Sequence, residues 1–295
     1  MERISRISST LTSNKKQLNG LGSVGVKRED DVVIVSALRT PMTRAKKGPL
    51  RQTAPELLLS HVFKATLERT KIDPKLIEDV QVGNVLMPGA GALIARAAMF
   101  LSNMATETPC AAINRQCSSG LEACALIAAK IKGGLIECGI GAGVESMSLF
   151  DMNGMVNPDL LSDDMFENIN ASNCMLPMGI TSENVCEKYN LKRDKLDEFA
   201  YQSHMKAKHA QEQGYFSKEI VPIKVKLTDK DGNEKEVMVD KDDGIRANTT
   251  IERLAKLKPS FKKDGLSTAG NSSQVTDGAA AVLLMSRRLA NQLGK

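Results

Sequence analysis

The stretch 118–131 constrains this chain more than any other. Its central part reads Gly120, Leu121, Ala123, Cys124, Ala125, Leu126, Ile127, Ala128 and Ala129, with only Glu122 and Lys130 charged. A helix that is apolar nearly all round cannot lie on a surface and has to be buried on all sides. That requires structure packed around it, and 295 residues are enough to build a substantial core in one large domain or two.

The surrounding sequence supplies such layers. Val32-Val33-Ile34-Val35 is a short continuous apolar run, as a strand covered on both faces shows. Thr53-x-x-Glu56, with Pro55 between them, reads as a capping box opening a helix that carries Leu57, Leu58, Val62, Phe63 and Leu67. A strand is expected at 80–85, a helix at 92–101, a strand at 110–113, the apolar helix at 118–131 and a glycine-broken strand at 136–144. Strands alternating with helices in this way argue for an α/β layered fold with a largely parallel sheet.

Residues 147–275 break the rhythm and read as an α+β insertion. Met147, Met152, Met155, Met165, Met175 and Met178 cluster at its start, able to line an adaptable apolar wall or to fill irregular core gaps. A charged helix at 193–213 follows, then strand-like runs at 220–227 and 236–239 around Asp231-Gly232, which reads as a hairpin. Ala281-Val282-Leu283-Leu284-Met285 returns as a buried strand, and 287–293 begins a helix. The expected division is an extension at 1–28, a first domain at 29–146, an inserted loop domain at 147–275 and a return to the first domain at 276–295.

Composition narrows the function. Basic residues exceed acidic ones by only five, and aromatics are 3% of the chain with no tryptophan. The mild surplus suits an anionic small ligand better than a nucleic-acid backbone, and few rings are available for bases to stack on. No uncharged apolar run reaches the ~18 residues of a membrane span. Cys110, Cys117, Cys124, Cys138, Cys174 and Cys186 contain no C-x-x-C pair, and His61, His204 and His209 are the only histidines, so no metal site is expected. The cysteines read as reduced thiols, mostly small buried hydrophobes.

One of them differs. Asn114-Arg115-Gln116-Cys117-Ser118-Ser119-Gly120-Leu121 turns from a strand end directly into the apolar helix. Cys117 then sits at a helix N-terminus, where free N–H groups and the positive dipole end favour a thiolate and can donate to an oxyanion. By geometry alone Cys117 is either an activated nucleophile or one more small packed residue. The rigid buried helix behind it favours the nucleophile.

These eight residues resemble the nucleophile motif of the thiolase family, nearest its peroxisomal 3-ketoacyl-CoA branch. Further segments resemble family signatures in family order: 31–35 leading to Arg39-Thr40, then 143–148, 177–184, 254–259 and 268–273. The resemblance covers residue 29 to the end. It implies a thiolase-like layered α/β fold, here its N-terminal half with the inserted loop domain, and a homodimer. The implied activity is thiolytic cleavage of a 3-ketoacyl-CoA to acetyl-CoA and a shortened acyl-CoA in fatty-acid β-oxidation, with coenzyme A as substrate and no permanently bound cofactor.

By the same resemblance Cys117 takes the acyl group as a thioester, and Met178, Arg246, Ser272 and Ser273 contact coenzyme A. An arginine can pair with nucleotide phosphates, and the glycine-containing loop at 268–273 lets backbone approach the pantetheine arm. Arg246 can equally be a solvated charge beside Asp242 and Asp243. The family's second half supplies an Asn-Glu-Ala-Phe segment, a Gly-His-Pro histidine and a Cys-x-Gly cysteine, none of which occurs here. The chain stops at Lys295, close to where that half would begin, and its partner half would cover the helix after Cys117. The alternative to an enzyme is therefore a catalytically incompetent fragment that binds coenzyme A or a partner subunit.

Residues 1–28 carry six basic residues against Glu2 alone. Arg3-Ile4, five residues, then Thr10-Leu11 resembles the amino-terminal peroxisomal signal read by an import receptor, with Thr10 where a histidine or glutamine is expected. A mitochondrial presequence and an unstructured tail are the rival readings.

Overall fold

The computed structural model describes residues 26–152 and 157–295. The amino-terminal address and Met155 lie outside the described residues. Strands β1 (Val32–Arg39), β3 (Asp79–Gly83), β4 (Cys110–Ile113), β5 (Cys138–Ser146) and β8 (Thr276–Ser286) form the main sheet in the order β1-β8-β5-β3-β4, with β2 (Thr43–Arg44) pairing to the start of β8. Strands β6 (Ile223–Thr228) and β7 (Glu234–Val239) form a separate antiparallel hairpin. The longer helices are α1 (Pro55–Thr70), α2 (Ala92–Leu101), α3 (Ser119–Lys132), α4 (Met178–Lys188) and α5 (Arg193–Glu212), followed by the short α6 (Ile251–Ala255) and α7 (Arg287–Gln292).

The sheet is mixed rather than largely parallel. β3 pairs in parallel with β4 and β5, whereas β8 runs antiparallel to both β5 and β1. The reason lies in the connection: Ser146 at the end of β5 faces Asp277 at the start of β8, so the long excursion leaves and returns at one point, as in a hairpin. A crossover helix, which would have forced a parallel pair, is not involved.

Two faces of the sheet are covered differently. On one, Leu58, Leu59, Val62 and Phe63 of α1, all fully buried, pack with α2 against Val80, Val82, Ile140, Leu283 and Met285. Each such side chain contributes about 1.5–3 kcal/mol. The expected capping box is not formed: the N-cap is Ala54, with Pro55 at the first helical position and no side-chain cap. Proline's fixed φ sets the start one residue beyond Thr53, whose own side chain is buried.

On the other face, α3 lies over β3 and β5. Along β5, buried Cys138, Ile140, Ala142 and Val144 alternate with Gly139, Gly141 and Gly143. The glycines do not break the strand; they are the floor on which α3 sits. A Cβ at Gly141 would come within 2.6 Å of the Cys124 Cα, and one at Gly83 would overlap the Ser119 backbone. Ala123, Ile127 and Ile131 are buried against this floor. The opposite face of α3 is uncovered, contrary to the all-round burial its composition demands: Leu121 is 74% exposed, and Ala125 and Ala129 are exposed beside it.

Candidate active site

The chain leaves β4 at Ile113 and enters α3 at Ser119 through a turn tied at each step. Gln116 takes a left-handed φ of 51°, uncommon for a residue with a side chain. Its N–H donates to Asn114 Oδ1 at 3.0 Å, and its carbonyl accepts from Ser119 Oγ at 2.6 Å and from the Ser119 N–H at 3.0 Å. Ser119 Oγ also accepts the Arg115 N–H at 2.8 Å, and the Ser118 hydroxyl donates to the Arg115 carbonyl at 2.8 Å. Cys117 occupies the residue just before the N-cap Ser118 and is exposed.

The other cysteines stand in different settings. Burial pushes the Cys110 thiol up to about 11 and the Cys138 thiol up to about 12, and it raises Cys124 and Cys186 as well. Cys174 is exposed, its Sγ 3.5 Å from the Asn170 carbonyl. Among the described residues, Cys117 and Cys174 are the exposed thiols, Cys110 and Cys124 being half-buried, and of the two exposed ones only Cys117 directly adjoins the N-cap of a longer helix.

Met178 opens α4 and is 69% exposed. Arg246, Ser272 and Ser273 are also exposed. The backbone at Gly244, two residues before Arg246, packs directly against the side chain of Gln274, the residue after Ser273. Gly179, next to Met178, packs in the same way on the Phe261 ring. Two buried carboxylates fix this region. Glu183 of α4 accepts the N–H groups of Leu266 and Ser267 at 2.8–3.1 Å. Asp197 of α5 accepts from Asn271 Nδ2 at 2.9 Å and is paired with Arg193 at 2.8 Å. Arg246 forms no ion pair among the described residues; Asp242 and Asp243, its neighbours in sequence, pair with Arg39 and Arg44. No hydrogen bond or ion pair among the described residues links the Cys117 turn to Met178, Arg246, Ser272 or Ser273.

Comparison with known proteins decides the family. The thiolase N-terminal domain matches residues 32–288. The chain belongs to the thiolase family.

Peroxisomal 3-ketoacyl-CoA thiolase B of Rattus norvegicus is 50% identical to this thiolase-family chain over 264 residues, covering 90% of it. The chain spans 62% of that relative's length. The peroxisomal 3-ketoacyl-CoA thiolase of Yarrowia lipolytica is 48% identical over all 295 residues, which cover 70% of its own length. The dimeric peroxisomal thiolase of Saccharomyces cerevisiae superposes with a TM-score of 0.82 at 43% identity, covering 91% of this chain and 68% of the other.

None of this thiolase-family chain's histidines bonds to the Cys117 turn among the described residues. His61 Nε2 lies 2.9 Å from the Pro222 carbonyl, and burial draws its pKa down. His204 is likewise lowered, by burial and then by the Arg246 charge, and its Nδ1 accepts the Arg246 N–H at 3.3 Å. His209 stands edge-on to Tyr215. Sequence reasoning missed the carboxylates Glu145, Glu183 and Asp197. Glu145 and Glu183 stand inside family-like motifs, yet their partners are loop N–H groups far away in sequence, which no local pattern displays.

Proposed function

We propose that this chain carries the nucleophile and coenzyme A-binding portion of a 3-ketoacyl-CoA thiolase. The observation that supports it best is Cys117: an exposed cysteine on a tightly tied turn, at the mouth of a helix seated on a glycine floor, in a thiolase-family chain. In this reading the Cys117 thiolate adds to the 3-keto carbon of the substrate. The tetrahedral oxyanion collapses, the C2–C3 bond breaks, and acetyl-CoA leaves as an enolate that takes up a proton. The acyl group, now a thioester on Cys117, is transferred to the thiol of a second coenzyme A. Arg246 pairs with a phosphate, Met178 lines the apolar wall, and the loop of Ser272 and Ser273 receives the pantetheine arm. The segment 147–275 acts as the coenzyme A-binding loop domain, and the working unit is a homodimer in the peroxisome, as the names of the peroxisomal and dimeric relatives support.

A second reading follows from the missing base. No histidine hydrogen-bonds to the Cys117 turn among the described residues, and general-base help is worth ~10² to 10⁴ in rate. The alternative function is therefore binding of coenzyme A or a partner subunit without turnover. One experiment separates the two. The chain is assayed for thiolysis of acetoacetyl-CoA and a longer 3-ketoacyl-CoA, alone and joined to a thiolase second half. The proposal expects no detectable cleavage alone, turnover in the joined protein, and its loss on Cys117→Ala. A joined, folded protein that turns over equally well with Cys117→Ala contradicts it.

A further inference from the structure

Glu145 of β5 carries a largely buried carboxylate with no cationic partner among the described residues. What it has instead is one loop. Oε1 accepts from Asn84 Nδ2 at 2.8 Å and from the Leu86 N–H at 3.2 Å, and Oε2 accepts from the Val85 N–H at 3.0 Å. Burial pushes this carboxyl above the ordinary glutamate range, while those donors pull it back. Asn84, Val85 and Leu86 supply all three of these donors, so the carboxylate ties that loop to β5.

The loop it holds is the one that reaches the nucleophile turn. The Asn84 N–H donates to the Ile113 carbonyl at 3.1 Å. The Val85 carbonyl accepts from Asn114 Nδ2 at 3.1 Å, which leaves Asn114 Oδ1 to accept the N–H of left-handed Gln116 at 3.0 Å. We propose that Glu145 is a positioning residue for Cys117, acting through the relay Glu145, Val85, Asn114, Gln116 to keep the left-handed turn that presents the thiol. This rests on the assignment of Cys117 as the nucleophile. Other charged groups around the turn are occupied: Arg115 pairs with Glu122 on it, and Asp79 pairs with Lys130 at the far end of β3 and α3. Glu145 is thus the charge that reaches this turn from the sheet.

The test is iodoacetamide labelling of the whole chain, followed cysteine by cysteine by peptide mass spectrometry, for wild type, Glu145→Gln, Asn114→Ala and the double variant. A glutamine at 145 turns one acceptor oxygen into an NH₂ group facing N–H donors. Each single variant is expected to slow Cys117 by about 3- to 10-fold, the scale of one lost hydrogen bond. The double variant should be no slower than the slower single one, because both cut the same relay. A merely structural loss would speed Cys138 as well and would add up in the double variant, whereas loss of the relay changes Cys117 alone and is not additive. Cys174 should be unaffected and Cys138 should stay protected. Cys117 labelling that is unchanged, faster or additively slowed, with Cys138 protected, overturns the relay. Where Glu145→Gln exposes Cys138, the surface variant Asn114→Ala decides alone by the same criteria. A wild-type Cys117 slower than Cys174 overturns the nucleophile assignment itself, and the relay with it.

Discussion

Arg39 grips Asp242 with both prongs of its guanidinium, Nη1 2.7 Å from Oδ1 and Nη2 2.9 Å from Oδ2. Asp242 also accepts the Met42 N–H at 2.8 Å, and Asp243 accepts the Arg44 N–H at 2.7 Å. Both carboxylates that neighbour Arg246 in sequence are therefore committed to the first strands of the sheet. No carboxylate among the described residues pairs with Arg246, whose proposed partner is a phosphate.

If that is a coenzyme A phosphate, Arg246→Ala weakens coenzyme A binding by about 1–3 kcal/mol, as loss of a charge-assisted contact does. Calorimetry on the two proteins checks this. Equal affinities remove Arg246 from the site.

The glycine floor makes opposite predictions at two neighbouring positions. A Cβ at Gly83 collides with the Ser119 backbone, so Gly83→Ala displaces the start of α3 and destabilises the fold by about 1–3 kcal/mol. A Cβ at Gly120 meets nothing within 4 Å, and Gly120→Ala stabilises by up to about 1 kcal/mol. Urea unfolding of both variants measures the two signs.

Acid should loosen the loop at 265–268 through Glu183. Burial is the largest single influence and raises this carboxyl, but the N–H groups of Leu266 and Ser267, the Ser267 hydroxyl and the Lys262 charge together outweigh it and hold it below the ordinary value. A carboxyl depressed in the folded state contributes stability above its unfolded pKa, and that contribution disappears as pH falls through the folded pKa. The gap in melting temperature between wild type and Glu183→Gln is therefore full at neutral pH and closes on acidification. A gap that does not change with pH contradicts the assignment.

The six thiols should rank by their surroundings. Cys117 is expected to alkylate first at neutral pH, Cys174 second, and Cys138, held up at about 12 by burial, among the last. Peptide mass spectrometry of a timed reaction gives the order directly. Cys174 ahead of Cys117 is the result that contradicts it.

Much of the fold was legible where the signal is local. The strand at 32–35, the small-residue helix after Cys117 and the turn between β4 and α3 all announce themselves in a few consecutive residues. β1 is not, however, covered on both faces as its apolar run suggests: it is an edge strand, and Ile34 is 67% exposed. What was misread depends on partners distant in sequence. The glycines of β5 look like breaks until α3 is laid on them, because the reason for a missing side chain is the neighbour it would strike. The antiparallel setting of β8 follows from Ser146 meeting Asp277, a pairing that no window of sequence contains. Thr53 and Glu56 have the spacing of a capping box, yet Pro55 moves the helix start by one residue. At the candidate site, Cys117 could be read from its own context. The lack of an ion pair at Arg246 could not, since Arg39 and Arg44, which pair with the neighbouring aspartates, are distant in sequence.

The most direct measurement is of the covalent intermediate. The chain joined to a thiolase second half is mixed with acetoacetyl-CoA without added coenzyme A, quenched in acid and digested, and every cysteine-containing peptide is weighed. The account predicts an acetyl group on the Cys117 peptide, released by hydroxylamine as a thioester is, and absent from Cys117→Ala. An acetyl group on Cys174 or another cysteine, or cleavage of substrate with Cys117 unmodified, contradicts it.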